Sequence, residues 1–186
     1  DTLGYTYSDD MFRLSVATAH VNGANESSVA LTINAMDGLS IGAGAGNDRT
    51  SVAIDNDVTT MFATYTMGPV SVGYQGYYLD NGTAAKLGAS PGADYSGDAI
   101  GIAFNVNDQV SIGYQKVSET QEANAIATDS DSQASSDRDI KSLSAAYSSG
   151  GMTMSIQQTD TDNYSFAAAG SELDTETVQV TLSFAF

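Results

Sequence analysis

The stretch Thr177-Val178-Gln179-Val180-Thr181-Leu182-Ser183-Phe184-Ala185-Phe186 alternates apolar with small or polar side chains at every step. Successive side chains of an extended strand point to opposite faces. Val178, Val180, Leu182, Phe184 and Phe186 therefore share one face, and Thr177, Gln179, Thr181, Ser183 and Ala185 the other. A soluble β-sandwich also alternates, but its last strand seldom stops on an uncovered phenylalanine. A strand whose apolar face meets lipid does. The stretch predicts a membrane-facing strand, provided the rest of the chain repeats its pattern.

Composition agrees with that expectation. The 186 residues include no cysteine and one histidine, His20, which removes disulfides, zinc knuckles and thiol catalysis from consideration. Gly, Ser, Thr, Ala and Asp are abundant while Lys, Arg and Pro are scarce. The net charge of −17 leaves no basic surface to displace counterions from phosphates, so a nucleic-acid partner is not expected. No run of about 18 apolar residues is present, hence no transmembrane helix is expected. A membrane barrel needs none, because its signal is alternation over about ten residues. The chain lacks an initiator Met and a signal peptide, which is read as processing, truncation or a fragment.

Eleven segments read as strands, over 2–8, 11–21, 29–36, 39–46, 58–67, 70–80, 95–106, 109–119, 139–148, 152–160 and 175–186. Tight turns with the Gly, Asn and Asp of hairpin geometry fall at Ser8-Asp9-Asp10, Asp37-Gly38, Gly68-Pro69, Asn107-Asp108 and Ser148-Ser149-Gly150-Gly151. Longer polar connections lie between them, over 22–28, 47–57, 81–94, 120–138 and 161–174. Tight and long connections thus alternate along the whole chain. An up-and-down barrel in an outer membrane has this rhythm, with short periplasmic turns and longer external loops. A Greek-key sandwich has no reason to keep it.

The faces repeat with the strands. One is apolar, as in Leu3, Tyr5 and Tyr7, in Ile100, Ile102 and Phe104, or in Met152, Met154 and Ile156. The other is small or polar, as in Ser71, Gly73 and Gln75, or in Ser111, Gly113 and Gln115. The predicted fold is all-β: a transmembrane antiparallel up-and-down β-barrel in a single domain. Tyr5, Tyr7, Phe12, Tyr65, Phe104, Tyr147, Phe184 and Phe186 sit beside the short turns, which suits an aromatic girdle at a membrane interface.

On these residues the chain resembles the Gram-negative outer-membrane porins, particularly the alphaproteobacterial type with acidic loops. The likeness covers the whole chain as a pattern of hairpins and is motif-like only over Thr177 to Phe186. There Val180, Leu182, Phe184 and Phe186 correspond to the terminal signal read by the barrel-insertion machinery. The resemblance implies a homotrimer of roughly 16-stranded barrels passing small hydrophilic solutes passively. It also implies an integral outer-membrane location, with the C-terminus periplasmic and lipopolysaccharide around the barrel. Eleven strands fall short of that number, so about five N-terminal strands are expected to be missing, along with the in-folded loop that narrows such pores.

Several residues invite chemistry. Polar-face positions assign Arg13, Asn34, Gln75, Asn105, Gln115 and Gln157 to the pore lining. Arg13 is the one basic residue placed there within a strand, either as part of a transverse field or paired with a turn carboxylate. Lys116 and Lys141 fall on the apolar parity near the long-loop end, where they snorkel to lipid phosphates, sit in a subunit interface, or turn inward at a bulge. Acids such as Asp48, Asp55, Asp129, Asp131 and Asp162 crowd the long connections. They form either an anionic vestibule that can hold Ca2+ or Mg2+ shared with lipopolysaccharide, or ordinary solvated loops. Asp160-Thr161-Asp162-Asn163 begins like a calcium loop but has Ser165 and Ser171 where Gly and Glu are required, so no EF-hand is expected. His20, without a second His or a nucleophile, reads as a surface or interface residue, and no Gly-x-Ser-x-Gly elbow occurs.

The expected function is passive diffusion, with weak cation selectivity, no enzymatic step and no cofactor. An acidic extracellular calcium-binding β-protein or adhesin is the alternative, distinguished by extraction into buffer without detergent. A barrel enzyme is disfavoured because the only histidine lies on the lipid-facing parity.

Overall fold

A computed structural model describes residues 2–21, 24–51, 54–81, 93–123, 135–167 and 170–184. Eleven strands follow in chain order: β1 (Thr2–Ser8), β2 (Phe12–Val21), β3 (Ala24–Met36), β4 (Leu39–Ser51), β5 (Ile54–Met67) and β6 (Val70–Asp80), then β7 (Ala93–Asn105), β8 (Val110–Ala123), β9 (Ser135–Ser149), β10 (Met152–Asp162) and β11 (Thr175–Phe184). They form one sheet in which each strand pairs with the next, in sequence order from β1 to β11. Each of these pairings is antiparallel, as hairpin connections require. No helix occurs among the described residues. The architecture is an all-β, antiparallel, up-and-down sheet.

The short turns are built as their residues dictate. Asp9 Oδ1 accepts hydrogen bonds from the backbone N–H of Met11 and of Phe12, both at 2.8 Å, which closes the β1–β2 hairpin. Asn107 does the same for Gln109 and Val110 at 2.8 and 2.9 Å. Gly150 and Gly151 have φ of +57° and +81°, the left-handed pair that a two-residue hairpin matching the strand twist needs.

At the opposite end the strands run further than alternation predicts. β3 begins at Ala24 and β4 ends at Ser51, so the expected long connections 22–28 and 47–57 are largely strand. β9 likewise begins at Ser135, within the expected connection 120–138. The reason is physical: beyond an apolar band both faces meet water, so a strand keeps its ladder but loses its hydrophobic alternation.

Cross-strand rows slant across the sheet. Phe12, at the short-turn end of β2, aligns in turn with Ile33, Ile41, Ala63, Tyr74 and Ile100. The same row continues through Lys116 and Lys141 to Asp160 and Glu176, at the far ends of their strands. Such a stagger is what tilted barrel strands show. The apolar band consequently climbs the sheet diagonally, and Ile102, Tyr114 and Leu143 occupy it where Lys116 and Lys141 have already left it.

No large side chain among the described residues is fully buried. Ile102, Ile112, Val180 and Phe184 are 49%, 45%, 65% and 56% exposed. Among the described residues the sheet is a single layer with no protein core, and none of them packs over its apolar face. A water-soluble sheet must bury such a face against a second layer. A hydrocarbon solvent satisfies it directly, because the backbone groups are already paired in the ladder. Within this sheet β1 pairs only with β2 and β11 only with β10, which leaves two strand edges.

Candidate functional site

The polar face is the candidate site. Registers place all six sequence-assigned residues on it. Arg13 aligns with Thr32, Gly42, Phe62 and Gln75 in one row, and Asn34 with Ser40, Thr64, Gly73, Gly101 and Gln115 in the next. Asn105 pairs with Ser111, and Gln157 with Ser144 and Gln179. Between β5 and β10 this face is hollowed by about 550 Å³, over Thr64, Ser71, Gly73, Gly101, Gln115 and Gln157.

No charged side chain lines the hollow, and hydroxyls and amides of the polar face bond one another within and around it. Thr66 and Ser71 hydroxyls lie 3.0 Å apart, as do those of Ser142 and Thr159. Gln75 Nε2 donates to Thr60 Oγ1 at 3.3 Å, and Gln157 Nε2 to Thr159 Oγ1 at 3.3 Å. Asn34 is held by its turn, donating to Asp10 O at 3.1 Å and accepting from Ser40 at 3.2 Å. Arg13 is exposed and makes no ion pair among the described residues. Short hydroxyl and amide side chains of this kind hydrate a surface without presenting a charged binding ladder.

Arg13 is, however, not the only basic residue of a strand on this face. Arg138 belongs to β9 and points the same way, which corrects the expectation that 120–138 is a loop. A single cross-strand row runs Tyr77, Gly97, Glu119, Arg138. Arg138 Nε donates to Glu119 Oε2 at 2.7 Å, and its Nη2 donates to the same oxygen. Tyr77 reaches over Gly97 and donates its hydroxyl proton to Glu119 Oε1. Arg138 Nη1 also donates to Tyr164 O at 3.2 Å, and the guanidinium lies 4.3 Å from the Phe166 ring centroid. Alternation within one strand could not reveal this cluster. The signal that could have found it is the hairpin register, which sets Glu119 opposite Arg138.

The connection after β10 lies on this cluster. Asn163 is 8% exposed, with φ of +53°, and its side-chain amide donates to Ser136 Oγ, Asp137 O and Ala167 O at 3.0, 2.8 and 3.1 Å. Its Oδ1 accepts from Ala167 N at 2.7 Å. Asp162 meanwhile pairs with Lys141 at 2.9 Å. Two of the oxygens suggesting a calcium loop are thus engaged within the protein. Among the described residues no three His, Cys, Asp or Glu side chains converge as metal ligands.

Lys116 and Lys141 stand directly opposite each other on the apolar-parity face. Register shifts occur at Asn34/Met36 and Asp48/Ser51, and none is present around the lysines, so no bulge turns them inward. Lys116 pairs with Asp139 at 3.2 Å. His20, on the same parity, has Nδ1 2.7 Å from Asn25 Oδ1. On that face Tyr7 and Phe12 rings meet at 5.3 Å beside the first short turn. Val180, Leu182 and Phe184 align with Ile156, Met154 and Met152. Phe186, Asp129, Asp131 and the side chains of Asp48 and Asp55 lie outside the described residues.

No protein-family model matches the chain, and no curated relative is found by sequence. Solved structures do match. OmpT, an outer-membrane protein of Vibrio cholerae, superposes with a TM-score of 0.70 at 15% identity over 98% of this chain and 63% of that one. A porin refined at 1.8 Å superposes with a TM-score of 0.64 at 18% identity, over 100% of this chain and 61% of that one. The NanC porin gives 0.59 at 11% identity, over 100% of this chain and 92% of that one. The chain spans less than two thirds of the length of the OmpT and porin chains it matches. A single antiparallel sheet with one apolar and one polar face, superposing on these outer-membrane protein and porin structures, gives this chain an outer-membrane porin-like fold.

Proposed function

We propose that this chain forms much of the wall of an outer-membrane diffusion channel, passing small hydrophilic solutes and ions without a catalytic step. One observation carries the reading: the sheet exposes an apolar face while its opposite, polar face holds a hollow lined by uncharged side chains. Those two faces suit lipid outside and water inside a closed barrel, whose closure requires the edges of β1 and β11 to be paired. The resemblance supplies about 16 strands and a homotrimer for that barrel, with the short turns periplasmic. Lipid and lipopolysaccharide are then the partners of the apolar face, and Lys116 and Lys141 lie where the apolar band gives way to charge.

Selectivity follows from where the charges lie. The hollow is uncharged, so the net charge of −17 acts mainly from the strand ends and connections. Carboxylates at a mouth concentrate cations within about one Debye length, roughly 8 Å at physiological salt. The channel is therefore weakly cation-selective, and its selectivity declines as salt rises. Reversal potentials in a planar bilayer, across a salt gradient at low and then high ionic strength, test this. Anion preference at low salt would remove the charge argument, and absence of any conductance would remove the channel.

A further inference from the structure

We propose that Phe62 and Tyr77 form an aromatic platform on the channel wall that recognises the sugar rings of neutral oligosaccharides as they pass. The inference rests on the channel reading above and deepens it by naming a class of solute and the residues that meet it. Both are polar-face positions inside the span of their strands, Phe62 on β5 and Tyr77 on β6. Each ring fills the space that a side chain would take at a glycine of the neighbouring strand. A β-carbon on Gly42 would sit 2.7 Å from Cζ of Phe62, and one on Gly97 2.7 Å from Cζ of Tyr77. The rings therefore lie across β4 and β7, leaning away from each other, each with one face to the wall and the other to the lumen. Both side chains are half-buried in a sheet one layer thick.

Between the rings runs a strip of hydrogen-bonding groups. Phe62 pairs with Gln75 and Thr60 with Tyr77 across β5 and β6, and Gln75 Nε2 donates to Thr60 Oγ1 at 3.3 Å. One row nearer the short turns, Thr64 pairs with Gly73 in the wall of the hollow of about 550 Å³, which Gln115 and Gln157 also line. Glu119, which accepts the Tyr77 hydroxyl proton, is already paired with Arg138 and adds no free charge. Aromatic faces beside uncharged amides and hydroxyls select a ligand by shape and hydrogen bonding. A pyranose matches both. Its C–H face packs on an aromatic ring, where the negative π-face meets the positive hydrogens, and its hydroxyls exchange hydrogen bonds with Gln and Thr. An alkyl chain would cover the rings but leave the amides unpaired.

Block of the ion current by added sugar, recorded for the full chain in planar bilayers, tests the platform. Cellotriose is the probe, and a polyethylene glycol of the same hydrodynamic size is the steric control. The parent should be blocked in a saturable way by cellotriose and less by the polymer. Phe62→Ala should raise the half-blocking concentration of cellotriose roughly tenfold, as loss of one aromatic face from a small contact would produce. It should leave the effect of the polymer as in the parent. Phe62→Tyr, which restores a ring, should restore the block. If Phe62→Ala fails to insert, Gln75→Leu decides, because it keeps both rings and removes the amide between them; it should weaken the block by cellotriose alone. A conducting parent that cellotriose blocks no better than the polymer does, or a conducting Phe62→Ala that is blocked like the parent, would overturn the platform and leave the channel standing. A parent that does not conduct would overturn the channel and the platform with it.

Discussion

Tyr77 lies across β7 directly over Gly97: a β-carbon on Gly97 would sit 2.7 Å from the Cζ and from the hydroxyl oxygen of Tyr77. The missing side chain lets an aromatic ring from β6 reach Glu119 on β8. Gly97→Val should therefore displace Tyr77, cost about 1–3 kcal/mol, and break its bond to Glu119. Tyr77→Phe keeps the ring and removes only the hydroxyl, so it should cost about 1 kcal/mol. Urea unfolding followed by circular dichroism in detergent or lipid vesicles measures both. Equal costs would mean that the close approach at Gly97 carries no weight.

The apolar face makes a second prediction, because lipid and water punish charge differently. Ile102 and Ala103 are neighbours on β7, and the pleat sends their side chains to opposite faces. Ile102→Arg should destabilise insertion by about 2–4 kcal/mol, as expected for a charge near the bilayer midplane. Ala103→Lys should insert normally and shift selectivity towards anions. Folding yield into lipid vesicles and reversal potentials give the two readouts. Similar yields for both variants would contradict the assignment of faces.

The first short turn carries a pH dependence. Backbone hydrogen bonds from Phe12 and Met11 to the exposed Asp9 carboxylate hold its pKa below the ordinary value of 3.8. A depressed folded-state pKa means that the contribution is fully present above the unfolded value. It is lost as pH falls through the lower folded value. Asp9→Asn keeps the acceptor oxygen without the titration. The stability difference between the parent and Asp9→Asn should shrink on moving from neutral pH to below about pH 3. A difference that is constant with pH would show that the charge does not matter to the turn.

Much of this fold is legible in the sequence, and its limits are physical. Short-turn ends of the strands are readable to about a residue, because Asp9, Gly38, Asn107 and the Gly150–Gly151 pair mark them chemically. Long-connection ends are not. From Ser135 to Arg138 both faces of β9 are polar, so period-two alternation disappears while the ladder continues. Arg138 is misplaced for that reason. Tyr77, Glu119 and Arg138 are each unremarkable within their own strands and become a cluster only through register across three hairpins. Phe62 is a further case, an aromatic at a polar-face position in the row of Arg13 and Gln75.

The absence of cysteine allows the central claim to be tested one side chain at a time. Single cysteines placed at Ile112, Gly113, Tyr114 and Gln115 of β8, in conducting channels, should react alternately with a membrane-impermeant charged thiol reagent. Gly113→Cys and Gln115→Cys should be modified from the aqueous phase and reduce the current. Ile112→Cys and Tyr114→Cys should be protected by lipid and leave the current unchanged. Modification of all four, or of Ile112→Cys and Tyr114→Cys alone, would contradict a wall with its polar face towards water and its apolar face towards lipid.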